Sequence, residues 1–194
     1  MLLRPLSNLA RQIRLHILEE SFRAHKGHIG SCLSIADIAA ALVRTARGIT
    51  SCSPDRDRVI LSKGHAALAW YAALCAEGYL ARDVIAGYAT DGSLLGTHPD
   101  CRQLGIDFST GSLGQGIGFG VGCALASQIR GDSFRTFVVL SDAELNDGST
   151  LESLLLAAHL SLSTLTVVLD DNWQQALGQT RRILGMGDLF SYLN

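Results

Sequence analysis

Two polar residues stand where they could do chemistry. Asp142 follows the apolar run Thr136–Leu140, Asn172 follows Leu165–Leu169, and the two are 30 residues apart. Both runs are rich in Val, Leu and Thr, and both end abruptly in acidic or amide residues. A carboxylate and an amide oxygen brought together suit a hard divalent cation such as Mg2+, of the kind usually shared with phosphate oxygens. Asp and Asn after strands also serve as turn formers and helix caps, so both readings stay open on these residues alone. Three histidines form a second set. His28 sits in His25-Lys26-Gly27-His28-Ile29-Gly30-Ser31, His65 in Lys63-Gly64-His65, and His98 in Thr97-His98-Pro99-Asp100. Imidazoles titrate near neutral pH and can act as acid–base or hydrogen-bonding groups, although an isolated loop histidine is usually a solvated surface group. His16 and His159 read as helix residues without a chemical role, and no motif surrounds His25. A glycine-rich stretch, Ser109–Gly118, precedes a helix, where backbone amides can meet an anion; by itself it reads more simply as a plain turn.

The elements that must position these residues follow from periodicity. Ser149–Leu160 carries Leu151, Leu154, Leu155 and Leu160 near helical spacing, so Thr136 to Leu169 reads as strand, crossover helix, strand. A crossover of that length makes the strands parallel neighbours. Asp142 and Asn172 then lie just past the carboxyl ends of the strands, the edge of an open α/β sheet where ligands bind. Upstream, Leu6, Leu9, Ile13, Ile17 and Phe22 predict an amphipathic helix over Ser7–Ala24, ending in a glycine-flanked loop at 25–31. Ser34-Ile35-Ala36-Asp37 resembles a capping box and starts a second helix reaching about Arg47. Thr50–Asp57, with Pro54, is a loop; Val59–Ser62 is a short buried strand; Ala66–Glu77 is a helix closed by Gly78. Asp83–Tyr88 is a further short helix, Thr90–Asp107 a long loop, and Gly116–Ile129 a helix of small residues suited to close packing.

Composition narrows the class. The chain has 194 residues, 47% hydrophobic and 18% charged, with a net charge of −2. It is long enough for one sizeable core, and no linker or repeat divides it, so residues 1–194 are expected to form a single domain. The near-neutral balance offers no footprint for nucleic acid. No apolar run approaches the roughly 20 residues that span a bilayer. Arg4, Arg11 and Arg14 interrupt any leader-like apolar stretch. Five scattered cysteines without a CxxC pair predict a reduced, cytoplasmic chain with buried free thiols.

Taken in order, Gly27-His28-Ile29-Gly30, Leu61-Ser62-Lys63-Gly64-His65, His98-Pro99-Asp100, Ser109–Gly116, Ser141-Asp142-Ala143 and Asp171-Asn172 resemble the thiamine diphosphate-binding half of transketolase-type enzymes. The likeness covers nearly the whole chain and is nearest to the small subunit of split, two-chain transketolases. It implies an α/β fold, a mostly parallel sheet with helices on both faces, of the pyrophosphate-binding type. It also implies that Asp142, the Asn172 side chain and the Gln174 carbonyl hold Mg2+ against thiamine diphosphate. Ala143 and Glu144 would stand where backbone amides approach the diphosphate, and Gly111, Ser112 and Leu113 beside the cofactor rings. His28, His65 and His98 would surround the reacting carbon, with His65 also touching the cofactor, and Asp147 would lie at a subunit junction. Two features depart from the family. Its Gly-Asp-Gly reads Ser141-Asp142-Ala143, which matters if the second glycine needs positive φ. The family domain also continues with at least one more strand and helix. The resemblance implies transfer of a two-carbon ketol unit. It also implies a partner subunit carrying the pyrimidine-binding domain, in an α2β2 assembly acting on a small ketose or 2-oxo acid. Ser109–Gly122 and Leu145–Leu160, rich in small and apolar residues, are the expected contact surface. The alternatives are a subunit of a 2-oxo acid decarboxylating, acyl-transferring thiamine enzyme, and a non-catalytic paralogue that only binds a partner.

Overall fold

A computed structural model of the protein describes residues 5–185, so both ends of the expected 1–194 unit lie outside it. The sheet holds three parallel strands in the order β1 (Arg58–Leu61), β2 (Thr136–Ser141), β3 (Leu165–Asp170). Val59 pairs with Phe137, and Val138 with Val167. Strand side chains alternate in direction, and here each set meets a different helical layer. Val59, Leu61, Phe137 and Val139 pack with α1 (Leu6–Ala24), α3 (Ala36–Thr45) and α4 (Ala67–Ala76). Ile60, Val138 and Leu140 pack with α6 (Gln115–Arg130) and α7 (Gly148–His159). Helices therefore cover both faces of a parallel sheet, as expected.

The two layers differ in depth. α4 is apolar on every side, and Leu68, Trp70, Tyr71 and Leu74 are all nearly inaccessible. Burying side chains of this size stabilises by roughly 1.5–3 kcal/mol each. α6 lies flush on β2 because it lacks side chains at the contact. A Cβ on Gly120 would come within 2.3 Å of Val138, and one on Gly116 within 2.6 Å of Ser62. These two glycines, four residues apart on one helix face, serve packing. α7 leaves Leu155 and Leu156 exposed, and Thr150 is its one buried residue.

Several local expectations give way to longer-range bonds. The loop predicted at 25–31 is cut short by α2 (Ile29–Ser34), with His28 at its N-cap in the left-handed region, φ 66°. Ser34 caps nothing: it is the last residue of α2, and its hydroxyl donates to Asp170, 136 residues away. A capping box does form at Ser141 and Glu144, at the exit of β2. The short helix at Asp83–Tyr88 contracts to α5 (Arg82–Ile85). Beyond β3 the chain adds a two-residue hairpin, β4 (Gln174–Gln175) with β5 (Gly178–Gln179), and then α8 (Thr180–Leu184). All five cysteines are unpaired, but Cys52 and Cys101 are exposed rather than buried. No described helix is long and apolar enough to cross a membrane.

Candidate functional site

The carboxyl ends of the three strands gather most of the residues singled out by sequence. β2 runs into a 3-10 turn, Asp142–Asn146. Glu144, fully buried, anchors that turn. Its Oε1 accepts from Ser62 Oγ (2.5 Å) and Gly114 N (3.0 Å), and its Oε2 from Ser141 N (2.8 Å) and Ser141 Oγ (3.1 Å). One carboxylate thus ties together the exits of β1 and β2 and the glycine-rich turn. Gly114 takes φ 73°, and a Cβ there would meet Ser149 Oγ at 2.5 Å, so only glycine fits. Ala143, by contrast, is not among the described non-glycine residues with positive φ. The methyl that replaces the family's second glycine therefore carries no backbone strain.

Asp142 is buried, and its carboxylate accepts from Ala143 N (3.0 Å) and from Thr180 Oγ1 (2.7 Å). Both donors are neutral, and among the described residues no Lys, Arg or His forms an ion pair with it. A carboxylate offers about four lone-pair positions, so Asp142 keeps capacity for a cation. Asn172 Oδ1 accepts from Gln174 N at 3.0 Å, while its Nδ2 donates to Asp170 Oδ2 (2.9 Å) and Ser34 Oγ (3.2 Å). Asp170 also pairs with Lys63; both are nearly inaccessible. Trp173, between Asn172 and Gln174, adopts φ 62°, an uncommon conformation for a bulky residue. It is held by a bond from Thr180 N to Trp173 O (3.0 Å) and by the Arg181 guanidinium 4.1 Å from its ring centroid.

The three histidines come from distant loops and converge. The His28 ring centroid lies 5.5 Å from that of His65 and 5.8 Å from that of His98, both edge-on. Burial pushes the His65 pKa down to about 4, helped by the charge of Lys63 and by His28 and His98. His98 is lowered by burial and then by His28. Both are therefore neutral at pH 7 and can accept a proton or a hydrogen bond. His16 instead meets Arg82 and Glu19 on the outer side of α1, and His159 is exposed at the end of α7.

A cavity of about 700 Å3 opens beside these groups, lined by His28, His65, Gly111, Leu113, Ala143 and Asn172 along with neighbours, whereas Asp142 and His98 stand just behind its lining. Gln174 and Asp147 also reach it. Ser112 is exposed, and Glu144 lies buried with its side chain fully engaged in the scaffold. Sequence reasoning missed Ser31, Ser34 and Lys63 in the lining, and Asp170 and Thr180 behind it. A lysine directly after a buried strand was a usable signal for Lys63. Thr180 offered none, since only the fold brings it to Asp142.

The donor set can be tested against a metal. Among the described residues no three His, Cys, Asp or Glu side chains cluster to hold an ion by themselves. One carboxylate, one amide oxygen and a backbone carbonyl match Mg2+, which takes one or two carboxylates and completes its shell with phosphate oxygens and water. By donor type, these residues would suit a cation delivered with a diphosphate.

Comparison with known proteins bears on the family of the chain. The family described as "Transketolase, thiamine diphosphate binding domain" matches residues 6–186. The chain is 32% identical over 176 residues to an apulose-4-phosphate transketolase subunit of Phocaeicola vulgatus, covering 89% of this chain and 63% of that protein. It is 37% identical over 182 residues to the 6-deoxy-6-sulfo-D-fructose transketolase subunit SqwG of a Clostridium species, covering 92% and 66%. The transketolase structure from Leishmania mexicana superposes with a TM-score of 0.89 at 30% identity, covering 98% of this chain and 31% of that one. The chain thus spans just under two thirds of the two subunits and about a third of the solved transketolase.

Proposed function

The chain belongs to the transketolase thiamine diphosphate-binding domain family, and from that premise we propose that it is the cofactor-binding subunit of a two-carbon ketol transferase. The observation that carries this reading is Asp142: a buried carboxylate with neutral donors only, beside a cavity at the carboxyl edge of a parallel sheet. Asp142, Asn172 Oδ1 and the Gln174 carbonyl would hold Mg2+. Lys63 uses one of its three ammonium protons on Asp170 and lines the cavity, so its remaining protons can meet a diphosphate. Gly111 exposes its backbone to the cavity with only the His98 ring nearby, 3.5 Å from where a Cβ would stand. Thiamine diphosphate, when bound, supplies the carbanion chemistry at its thiazolium ring. The chain's part is to hold and orient it. His28, His65 and His98 are the catalytic side chains of this reading. Neutral His65 and His98 take or return a proton at a substrate hydroxyl, and His28, between them, completes the hydrogen-bonding wall.

A partner carrying the pyrimidine-binding domain completes the site, in an α2β2 arrangement. Two relatives bear names of transketolase subunits, and α6 and α7 present Phe119, Leu155 and Leu156 to solvent. An exposed apolar patch of this kind favours an interface, and Asp147 lies at the cavity near it. The test is ketol transfer from a ketose donor to an aldehyde acceptor. Activity is expected from the chain with its partner, thiamine diphosphate and Mg2+, and none without the partner. Full activity of the chain alone would overturn the two-chain reading, and a stable complex inactive on ketoses and 2-oxo acids would favour a non-catalytic role.

A further inference from the structure

Behind Asn172 stands a buried acid that the functional reading leaves without a task. Asp170 is the last residue of β3, and its two oxygens divide three interactions. Oδ1 accepts from Ser34 Oγ at 2.7 Å. Oδ2 accepts from Asn172 Nδ2 at 2.9 Å and pairs with the Lys63 ammonium. The ion pair secures the carboxylate, since an unpaired charge at this depth would be strongly destabilising.

The consequence falls on the amide two residues later. An Asn side chain has one donor end and one acceptor end, and its neighbours decide which way it faces. Here Asp170 Oδ2 faces one end and the Gln174 N–H, 3.0 Å away, faces the other. Rotating the amide by half a turn would set oxygen against carboxylate and NH2 against N–H. The arrangement admits one orientation, with Oδ1 on the Gln174 side; that oxygen keeps a second lone pair, and Asn172 lines the cavity. An inverted amide would present two protons to any cation and repel it.

We propose that Asp170 is a positioning residue that fixes the Asn172 amide with its oxygen toward the cation, so that the metal half of the site is preset before the cofactor arrives. This rests on the reading of Asn172 as a ligand given above. It assigns Lys63 a second role, because the same ammonium that faces the cavity also holds Asp170 in place. Ser34, whose hydroxyl touches both Asp170 and Asn172, closes the arrangement from α2.

The test separates orientation from charge. Asp170→Asn loses the charge that pairs with Lys63 but still offers Asn172 an oxygen acceptor, whereas Asp170→Ala offers none. Mn2+ serves as the probe, its affinity read from the free-ion paramagnetic resonance signal in the presence of thiamine diphosphate. The full chain is used together with its partner subunit. Asp170→Ala is expected to weaken Mn2+ binding at least tenfold, and Asp170→Asn less than threefold. Both variants leave Lys63 unpaired and should lose similar amounts in metal-free melting temperature. Equal losses of Mn2+ affinity in the two variants would mean that Asp170 acts only through the ion pair, and unchanged affinity in both would remove it from the site; either overturns the proposal. If Asp170→Ala does not fold, the same comparison is made in a Lys63→Met background, which removes the stranded charge. A parent protein that binds no Mn2+ would instead overturn the cofactor-site reading itself, a result distinct from either of these.

Discussion

The two ends of the sheet both carry a buried aspartate, and they use it in opposite ways. At the amino ends of β1 and β2, Asp57 is saturated. It accepts from Arg47 N (2.9 Å) and Arg135 N (2.8 Å), and from both guanidinium groups, at 3.0 Å and 2.6 Å. Burial alone would raise its pKa, but the hydrogen bonds from Arg47 and Arg135 outweigh that and hold it well below the usual carboxylate range. This acid closes the fold: it joins the segment after α3 to the entries of β1 and β2 and has no capacity left. At the carboxyl ends, Asp142 is just as buried, yet it meets only a hydroxyl and an amide. A buried charge without a cation is costly for stability. Its place beside a cavity is what supports the proposal that this end of the sheet binds the ligand.

The comparison can be broken at either end. Removing Asp57 should have the largest effect on the fold. Asp57→Ala leaves the Arg47 and Arg135 backbone amides without their acceptor, while the exposed guanidinium groups keep only Ser133 O and Thr45 O as acceptors, and should cost about 1–3 kcal/mol in denaturant unfolding. Thiamine diphosphate affinity should stay within about twofold in the variant that remains folded, because the lesion is at the far end of the strands. Loss of cofactor affinity in proportion to stability would mean that the two ends are not separable.

Acid should separate the ends in pH. The folded pKa of His65 lies near 4 against an ordinary 6.5. Between those values the unfolded chain binds more protons than the folded one, so stability rises with pH. The contribution is complete above about pH 6.5 and lost as pH falls toward 4. His65→Gln should flatten that slope, read as melting temperature against pH. Asp57 acts lower: its stabilisation is present above the ordinary carboxylate value of 3.8 and disappears only as pH falls through its depressed pKa. A wild-type curve flat from pH 6.5 to 4.5, or a His65→Gln curve as steep as the parent's, would contradict the assignment.

The smallest effect belongs to Ala143→Gly, which restores the family's glycine. Because Ala143 does not need positive φ, the change should leave cofactor affinity within about twofold by calorimetric titration and lower stability by less than about 1 kcal/mol. A tenfold gain in affinity would show that the methyl obstructs the diphosphate after all.

Much of this was readable from sequence, for a definite reason. The β2–α7–β3 unit announces itself because strand and helix periodicities are local, and a parallel crossover then places Asp142 and Asn172 on one edge. The convergence of His28, His65 and His98 came from the resemblance, since nothing local relates three loops so far apart. What escaped is what the tertiary fold decides. Ser34 looked like a helix cap but bonds Asp170 across the sheet edge. Glu144 was read for its backbone amide only, and the role of its side chain as the scaffold of three loops went unseen. Gly116 lies in the stretch that suggested anion binding, yet with Gly120 it serves the close packing read from the small residues of that helix and brings α6 onto the sheet. Thr180, behind Asp142, lies in a helix that periodicity did not reveal.

The central claim is that the carboxyl edge is a preset Mg2+–thiamine diphosphate half-site organised by Asp142. The most direct measurement is the melting temperature of the parent and of Asp142→Ala, each together with the partner subunit, with and without Mg2+ and thiamine diphosphate. Ligand at a hundred times its dissociation constant stabilises by about 2.7 kcal/mol. The parent should show a shift of that order only when both Mg2+ and the cofactor are present. Asp142→Ala should melt at or above the parent's ligand-free temperature, having lost an unpaired buried charge, and show no shift at all. An Asp142→Ala protein that keeps the parent's ligand-induced shift would contradict the account.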